Sequence, residues 1–164
     1  SMVHTVSGIV LHRLWRMMRT GDCPRETVAV VSAMVEAVRA EGERLALAGA
    51  VEVEYRFGGL PSEIPAEIGL CLFRAAQEAL RNVEQHARAT RVLLALESAP
   101  GGVELTVRDD GVGYDPEAPR SKSGLGQVSM RERLNLIGGQ LTIESEPGSG
   151  TTVRAWAPLP GGPA

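Results

Sequence analysis

Within the run "QEALRNVEQHARA" (residues 77–89), Glu78, Asn82 and His86 recur at steps of four. On an α-helix that step places side chains on one face, a turn apart. The amide of Asn82 offers a neutral oxygen to a hard cation. Mg²⁺ takes few protein ligands and keeps water and phosphate oxygens around it. Glu78, one turn away, can hold a water of that cation or accept a proton from an attacking nucleophile. The opposite side carries Leu72, Ala76, Ala79, Leu80 and Val83, which suit a core. A polar ridge beside a core is costly unless something binds there. A solvated helix face with chance polar residues would look the same.

Three further runs could work with that ridge. "DDGVG" at 109–113 reads as a strand end opening into a loop. A carboxylate at the strand end can accept a hydrogen bond from an exocyclic amine such as that of adenine. Gly111 and Gly113 let the backbone turn and approach a flat ligand closely. Gly124, Leu125 and Gly126 precede a helical pattern, and free N–H groups at a helix start bind anions. "GSGTT" at 148–152 turns a hairpin and sets Thr151 at its exit. Taken singly, each run is also compatible with an ordinary turn or helix start.

The elements that must position these residues can be read from periodicity. Residues 3–19 and 25–48 show helical spacing around the break "TGDCP", a helical hairpin that would need a partner to bury its apolar side. "VEVEYRF" at 51–57 alternates as a strand does, and "GGLPSEIP" reads as a loop. Residues 66–87 read as one long helix. "RVLLALES" and "GVELTVRDD" form a hairpin around "APGG". Residues 111–126 form a loop rich in Gly, Pro and Ser, "QVSMRERLNLIG" a helix, and the segment from "GQLTIES" to "TVRAWAPLP" a last hairpin. The expected class is α+β, a two-layer α/β sandwich with helices on one face of a mixed, mainly antiparallel sheet, preceded by the helical hairpin.

The 164 residues suffice for one domain with a small appendage, and 43% apolar content supplies a core. Aromatics are only 4%, so Leu, Val, Ile and Ala must build it. A net charge of -3 argues against nucleic acid as a partner, while leaving room for one anion held by a local device. Cys23 and Cys71 are too few for a disulfide framework or zinc site, which suits a cytoplasmic chain. No apolar run approaches the roughly 18 residues of a membrane span, so any membrane anchor is expected in segments outside this sequence.

Together, "AQEALRNVEQHARA", "RDDGVGY" and "GLGQVSMRERLNLIGGQLTIESEPGSGTTVRAWAPLP" resemble the GHKL ATPase superfamily over residues 51–160. They are most similar to the ATP-binding domain of two-component sensor histidine kinases, in the subfamily that signals to response regulators with helix-turn-helix output. The resemblance implies the Bergerat ATP-binding fold, with ATP and Mg²⁺ as cofactors. It implies Glu78 as the acid that orients or deprotonates the attacking group. Asn82 would be the Mg²⁺ ligand, and His86 would stand near the phosphates. Asp109 would bind the adenine amine, helped by Thr151 through water. Gly111 and Gly113 would shape the adenine pocket. Gly124, Leu125 and Gly126 would cradle phosphates under a lid over 114–123. Where that subfamily usually has Lys or Arg, this chain has Gln85, and Arg81 and Arg88 lie elsewhere on an α-helical wheel.

The hairpin at 3–48 occupies the place of the dimerisation and phosphoacceptor domain, which implies a homodimer through it and a response regulator as protein partner. His4 is the acceptor candidate, although Thr5 follows it rather than an acid; His12, followed by Arg13, suits a bundle or surface position. Two other functions share the pocket: a nucleotide-binding regulator without autokinase activity, and an anti-sigma-factor serine kinase, which usually lacks the hairpin.

Overall fold

The computed structural model describes residues 28–49, 51–118 and 124–160. In chain order, β1 (Val28–Val30) leads into α1 (Val31–Ala48), followed by β2 (Glu52–Gly58), β3 (Glu63–Pro65) and α2 (Ala66–Asn82). A π-helical turn, Val83–Ala87, extends α2. Then come β4 (Arg91–Ala99), β5 (Gly102–Asp109), α3 (Gly124–Leu136), β6 (Gln140–Ser145) and β7 (Thr151–Pro158).

The main sheet has the order β2-β4-β5-β7-β6. Within it, β2 and β4 pair in parallel and the other three pairs are antiparallel. The mixed, mainly antiparallel sheet expected from sequence is therefore present. Strict alternation explains the layering. In β7, Val153, Ala155 and Ala157 are buried while their neighbours are only partly covered. In β2 every second residue, including Glu52, Glu54 and Arg56, faces solvent.

The helices close the other side of that core. α2 buries Ile68, Leu72, Ala75, Ala76, Ala79 and Leu80, and α3 contributes Met130 and Leu134. Leu72, Leu80, Leu94, Leu96, Leu105 and Leu134 are fully buried. Each such side chain contributes about 1.5–3 kcal/mol of transfer free energy. Aliphatic packing thus fills a core that has few aromatics to draw on.

Three expectations need correction. The segment 25–48 is not helical from its start: Val28–Val30 pair antiparallel with Glu63–Pro65, which also makes a strand of residues expected to lie in a loop. The Val31 amide then donates to Ser62 O at 3.0 Å as the helix begins. Valines serve a strand as well as a helix, and a short pairing between segments far apart in the chain leaves no periodic trace. Second, the helix expected over 66–87 changes pitch at Val83. Third, Gly124 and Gly126 lie inside the first turn of α3 rather than before it.

α1 shares its core with the sheet body. Val31, Met34, Ala37, Val38 and Leu45 are buried, and the Tyr55 ring of β2 lies 2.8 Å from where a Cβ on Gly42 would sit. The Arg39 guanidinium stacks over Tyr55 at 4.7 Å and Phe57 at 5.0 Å. The other arm of the expected hairpin, residues 3–19 with His4 and His12, lies outside the described residues.

Candidate functional site

The end of α2, the β5 end and the start of β7 surround a cavity of about 300 Å³. Ala79, Val83, Ala87, Val107, Val112 and Val153 make its walls apolar. Among them stands Asp109, 6% exposed, with Thr151 beside it as its cross-strand partner. Asn82 and His86 line the same cavity from the helix. Five residues singled out by sequence, Asn82, His86, Asp109, Gly113 and Thr151, thus meet around one space.

Asp109 is held by its own loop. The Gly111 amide donates to Asp109 Oδ1 at 2.8 Å. Burial pushes the carboxyl's pKa up, opposed by the backbone amides of Gly111 and Thr151, while the adjacent Asp110 adds to the rise. Asp110 behaves oppositely. It accepts from the Thr90 amide at 2.8 Å, the Thr90 hydroxyl at 2.7 Å and the Arg91 amide at 2.9 Å, and the Arg91 and Thr90 donors hold its carboxyl below the usual range. One aspartate faces the cavity; the next pins the loop beyond the π turn.

The glycines act by leaving room. A Cβ on Gly111 would collide with Ala87 O. Gly113 has φ +61°, in the left-handed region, and a Cβ there would strike Glu146 O. Neighbouring segments close around the loop: the Val112 amide donates to Ala87 O at 2.7 Å, and the Gly148 amide to Val112 O at 2.6 Å.

Glu78 does not share the cavity with Asn82 and His86. It lines an adjoining polar groove of about 820 Å³, with Gly126 opposite. An added Cβ at Gly126 would run into the Glu78 carboxylate. The expected single ridge therefore splits. Four α-helical residues advance slightly more than one turn, so Asn82 drifts off the Glu78 face. Gln85 stands seven residues after Glu78 and shares the groove with it and Arg81, with Arg133 arriving from α3. Gly124 and Leu125 open α3, and the lid expected over 114–123 is described as far as Ala118.

Sequence reasoning missed three polar residues. Gln127 Nε2 donates to the Tyr114 hydroxyl at 3.0 Å, and both line the cavity. Ser145, 8% exposed, lies behind Thr151, with the two hydroxyl oxygens 2.8 Å apart. Its signal was available: in "QLTIES" it falls on the inward side of β6 with Leu141, where a hydroxyl is out of place unless bonded.

The arrangement suits a planar ligand with an amine at its edge and an anionic tail. Apolar walls would take the ring, buried Asp109 the amine, and the start of α3 the anion. For a cation, the donor set is thin. Among the described residues no three His, Cys, Asp or Glu side chains are grouped to hold a metal. The half-buried amide of Asn82 remains, which fits a cation that takes most of its oxygens from a ligand.

Comparison with known proteins points the same way. Residues 68–161 match the family model described as histidine kinase-, DNA gyrase B-, and HSP90-like ATPase. The chain is 33% identical over 107 residues to the signal transduction histidine-protein kinase/phosphatase DegS of Brevibacillus brevis, covering 65% of this chain and 28% of that protein. It is 37% identical over 110 residues to the sensor histidine kinase MctS of Rhizobium johnstonii, covering 66% and 24%. The chain thus spans about a quarter of the length of these relatives. In fold it resembles the histidine kinase domain of the Erythrobacter litoralis EL346 blue-light activated histidine kinase, with TM-score 0.65 at 22% identity over 93% of this chain and 73% of that one.

Proposed function

This chain belongs to the histidine kinase-, DNA gyrase B- and HSP90-like ATPase family, and from that premise we propose that it is the ATP-binding catalytic domain of a sensor histidine kinase. The observation that carries this reading is the buried Asp109 carboxylate among apolar walls, with Asn82 and His86 on the same cavity. Asp109 accepts the adenine amine, and Val107, Val112 and Val153 flank the ring. Gly124 to Gly126 present backbone N–H groups to the phosphates. Asn82 is the residue that would hold Mg²⁺, which when bound supplies charge neutralisation to the phosphates. Glu78, across from Gly126, would orient or deprotonate an attacking imidazole. The bond between the β,γ-bridging oxygen and the γ-phosphorus breaks, and a phosphorus–nitrogen bond to histidine forms. A response regulator's aspartate then takes the phosphoryl group.

Gln85 favours a second reading, a regulator that binds nucleotide and transfers nothing. It puts a neutral amide in the groove beside Glu78 at the position where the subfamily usually has a cation that would stabilise charge in transfer, with Arg81 and Arg133 elsewhere on the same lining. Incubation with γ-labelled ATP and Mg²⁺ separates the two. The first reading expects label that is acid-labile and base-stable, and its loss in His4→Gln if His4 is the acceptor. Nucleotide binding without label would support the second. Acid-stable label on an added protein would overturn both in favour of a serine kinase. Asn82→Ala should abolish the Mg²⁺ dependence of nucleotide affinity in calorimetry; an unchanged dependence would remove Asn82 as the ligand.

A further inference from the structure

Ser145 sits where the lid root, the β6–β7 turn and the cavity wall converge, yet does not line the cavity. Its hydroxyl oxygen receives the Tyr114 N–H at 2.9 Å, contacts Gly150 O at 3.1 Å and lies 2.8 Å from Thr151 Oγ1. A hydroxyl has one proton and two lone pairs. A carbonyl can only accept, so the Ser145 proton goes to Gly150 O. An amide N–H can only donate, so Tyr114 takes one lone pair. The remaining contact is satisfied in one way: the Thr151 hydroxyl donates to the second lone pair of Ser145. All three contacts are then made, as a buried hydroxyl requires.

We propose that Ser145 is a specificity-determining residue that acts through Thr151, fixing the direction of the Thr151 proton so that this hydroxyl presents only lone pairs to the cavity. The inference rests on the reading of the cavity as an adenine pocket. With its proton turned back toward Ser145, Thr151 joins Asp109 as an acceptor. Two acceptors facing the 6-position suit the two N–H donors of a 6-amino purine, directly or through water. They disfavour a 6-oxo purine, whose carbonyl at that position would face lone pairs on both sides. Geometry supports a rigid assignment, because Ser145 and Thr151 are cross-strand partners of the β6–β7 hairpin. The same serine holds the first residue of the lid through Tyr114, so base selection and the lid's root share one anchor.

The test compares ATP with inosine triphosphate, which replaces the 6-amine by a carbonyl and adds a proton at N1, using calorimetric affinities for wild type, Ser145→Ala, Thr151→Val and the double variant. Freeing the Thr151 hydroxyl in Ser145→Ala lets it donate to the 6-oxo group. The ratio of ATP to inosine triphosphate affinity should narrow by about tenfold, the order of leaving a single hydrogen-bonding group unmatched. The same substitution in the Thr151→Val background should leave the ratio unchanged, because no hydroxyl remains to turn. A merely structural role would lower both affinities alike, or narrow the ratio equally in both backgrounds, and either result overturns the proposal. If Ser145→Ala loses its cooperative thermal transition, Ser145→Cys, which is somewhat larger and a weaker donor and acceptor, serves in the same cycle. Wild type that binds neither nucleotide would remove the adenine pocket itself, an outcome separate from any change in ratio.

Discussion

Asp109 and Asp110 are identical in type and adjacent in sequence, and their environments drive them apart. Asp109 is buried, so its folded pKa lies above the unfolded value of about 3.9. The native state then binds the proton more tightly, and stability falls as pH rises above that value. At neutral pH the full cost of the buried charge is present. Asp109→Asn keeps an oxygen for the Gly111 amide and removes the charge. Its thermal midpoint without nucleotide should match or exceed that of wild type, while ATP affinity falls about tenfold to a hundredfold, the range of a lost hydrogen bond to a charged group. Calorimetry with ATP and a thermal scan without it check the two halves; equal ATP affinity would remove Asp109 from recognition. Asp110 is depressed by its amide and hydroxyl donors, so its contribution is present above about 3.9 and is lost as pH falls through the folded value. Asp110→Asn should therefore lower the midpoint at neutral pH, and the deficit should shrink in acid. The pair "DD" announces a carboxylate at a strand end. Which of the two faces the cavity is set by strand parity and by Thr90, a partner 20 residues away in sequence that no local pattern reveals.

At the scale of elements, α2 and α3 meet where Gly126 opposes Glu78. The sequence offered Gly126 as a phosphate cradle; the structure adds that it leaves space for a carboxylate. Gly126→Ala should displace the Glu78 side chain, and any phosphoryl transfer should fall far more than adenosine affinity. Because only the flexible end of Glu78 must yield, the thermal midpoint should shift little. A matching loss of midpoint and adenosine binding would mean that the glycine serves packing alone. The four-residue ridge was only partly right because the split falls between Glu78 and Asn82, where four residues advance about 400° rather than one full turn. Asn82 and His86 share a cavity as expected, but Glu78 and Gln85 belong to the groove. The pitch change at Val83 depends on what packs around the helix end, here Val112 bonding to Ala87 O. Residues 83–87 carry no mark of it in their own composition.

For the molecule as a whole, the alternating strands, both main hairpins and α2 were legible because apolar periodicity is a local consequence of facing a core. The β1–β3 pairing was hidden because it joins distant three-residue strands, one of them closed by Pro65. Surface charge adds little to what holds this body together. Ion pairs such as Arg154–Glu144 and Arg91–Glu52 join exposed side chains, and such pairs are worth about 0–1 kcal/mol each. Unfolding free energy should change little when sodium chloride is raised, as denaturant titrations at two salt concentrations can measure.

The single parallel pair in the main sheet also carries a consequence for how the chain reaches its native state. β4–β5 and β6–β7 are local antiparallel hairpins, whereas β2 finds β4 only after the chain has travelled through β3, α2 and the π turn, and β5 finds β7 only after α3 and β6. Closing such an excursion costs more entropy than turning a hairpin, and non-local pairing slows folding. During refolding, pulse-labelled amides of β4 and β5 should gain protection before those of β2. On that schedule the β5 end that carries Asp109 is laid down early, and the edge strand that anchors α1 arrives after it. Simultaneous protection of β2 and β5 would show that the sheet forms in one step.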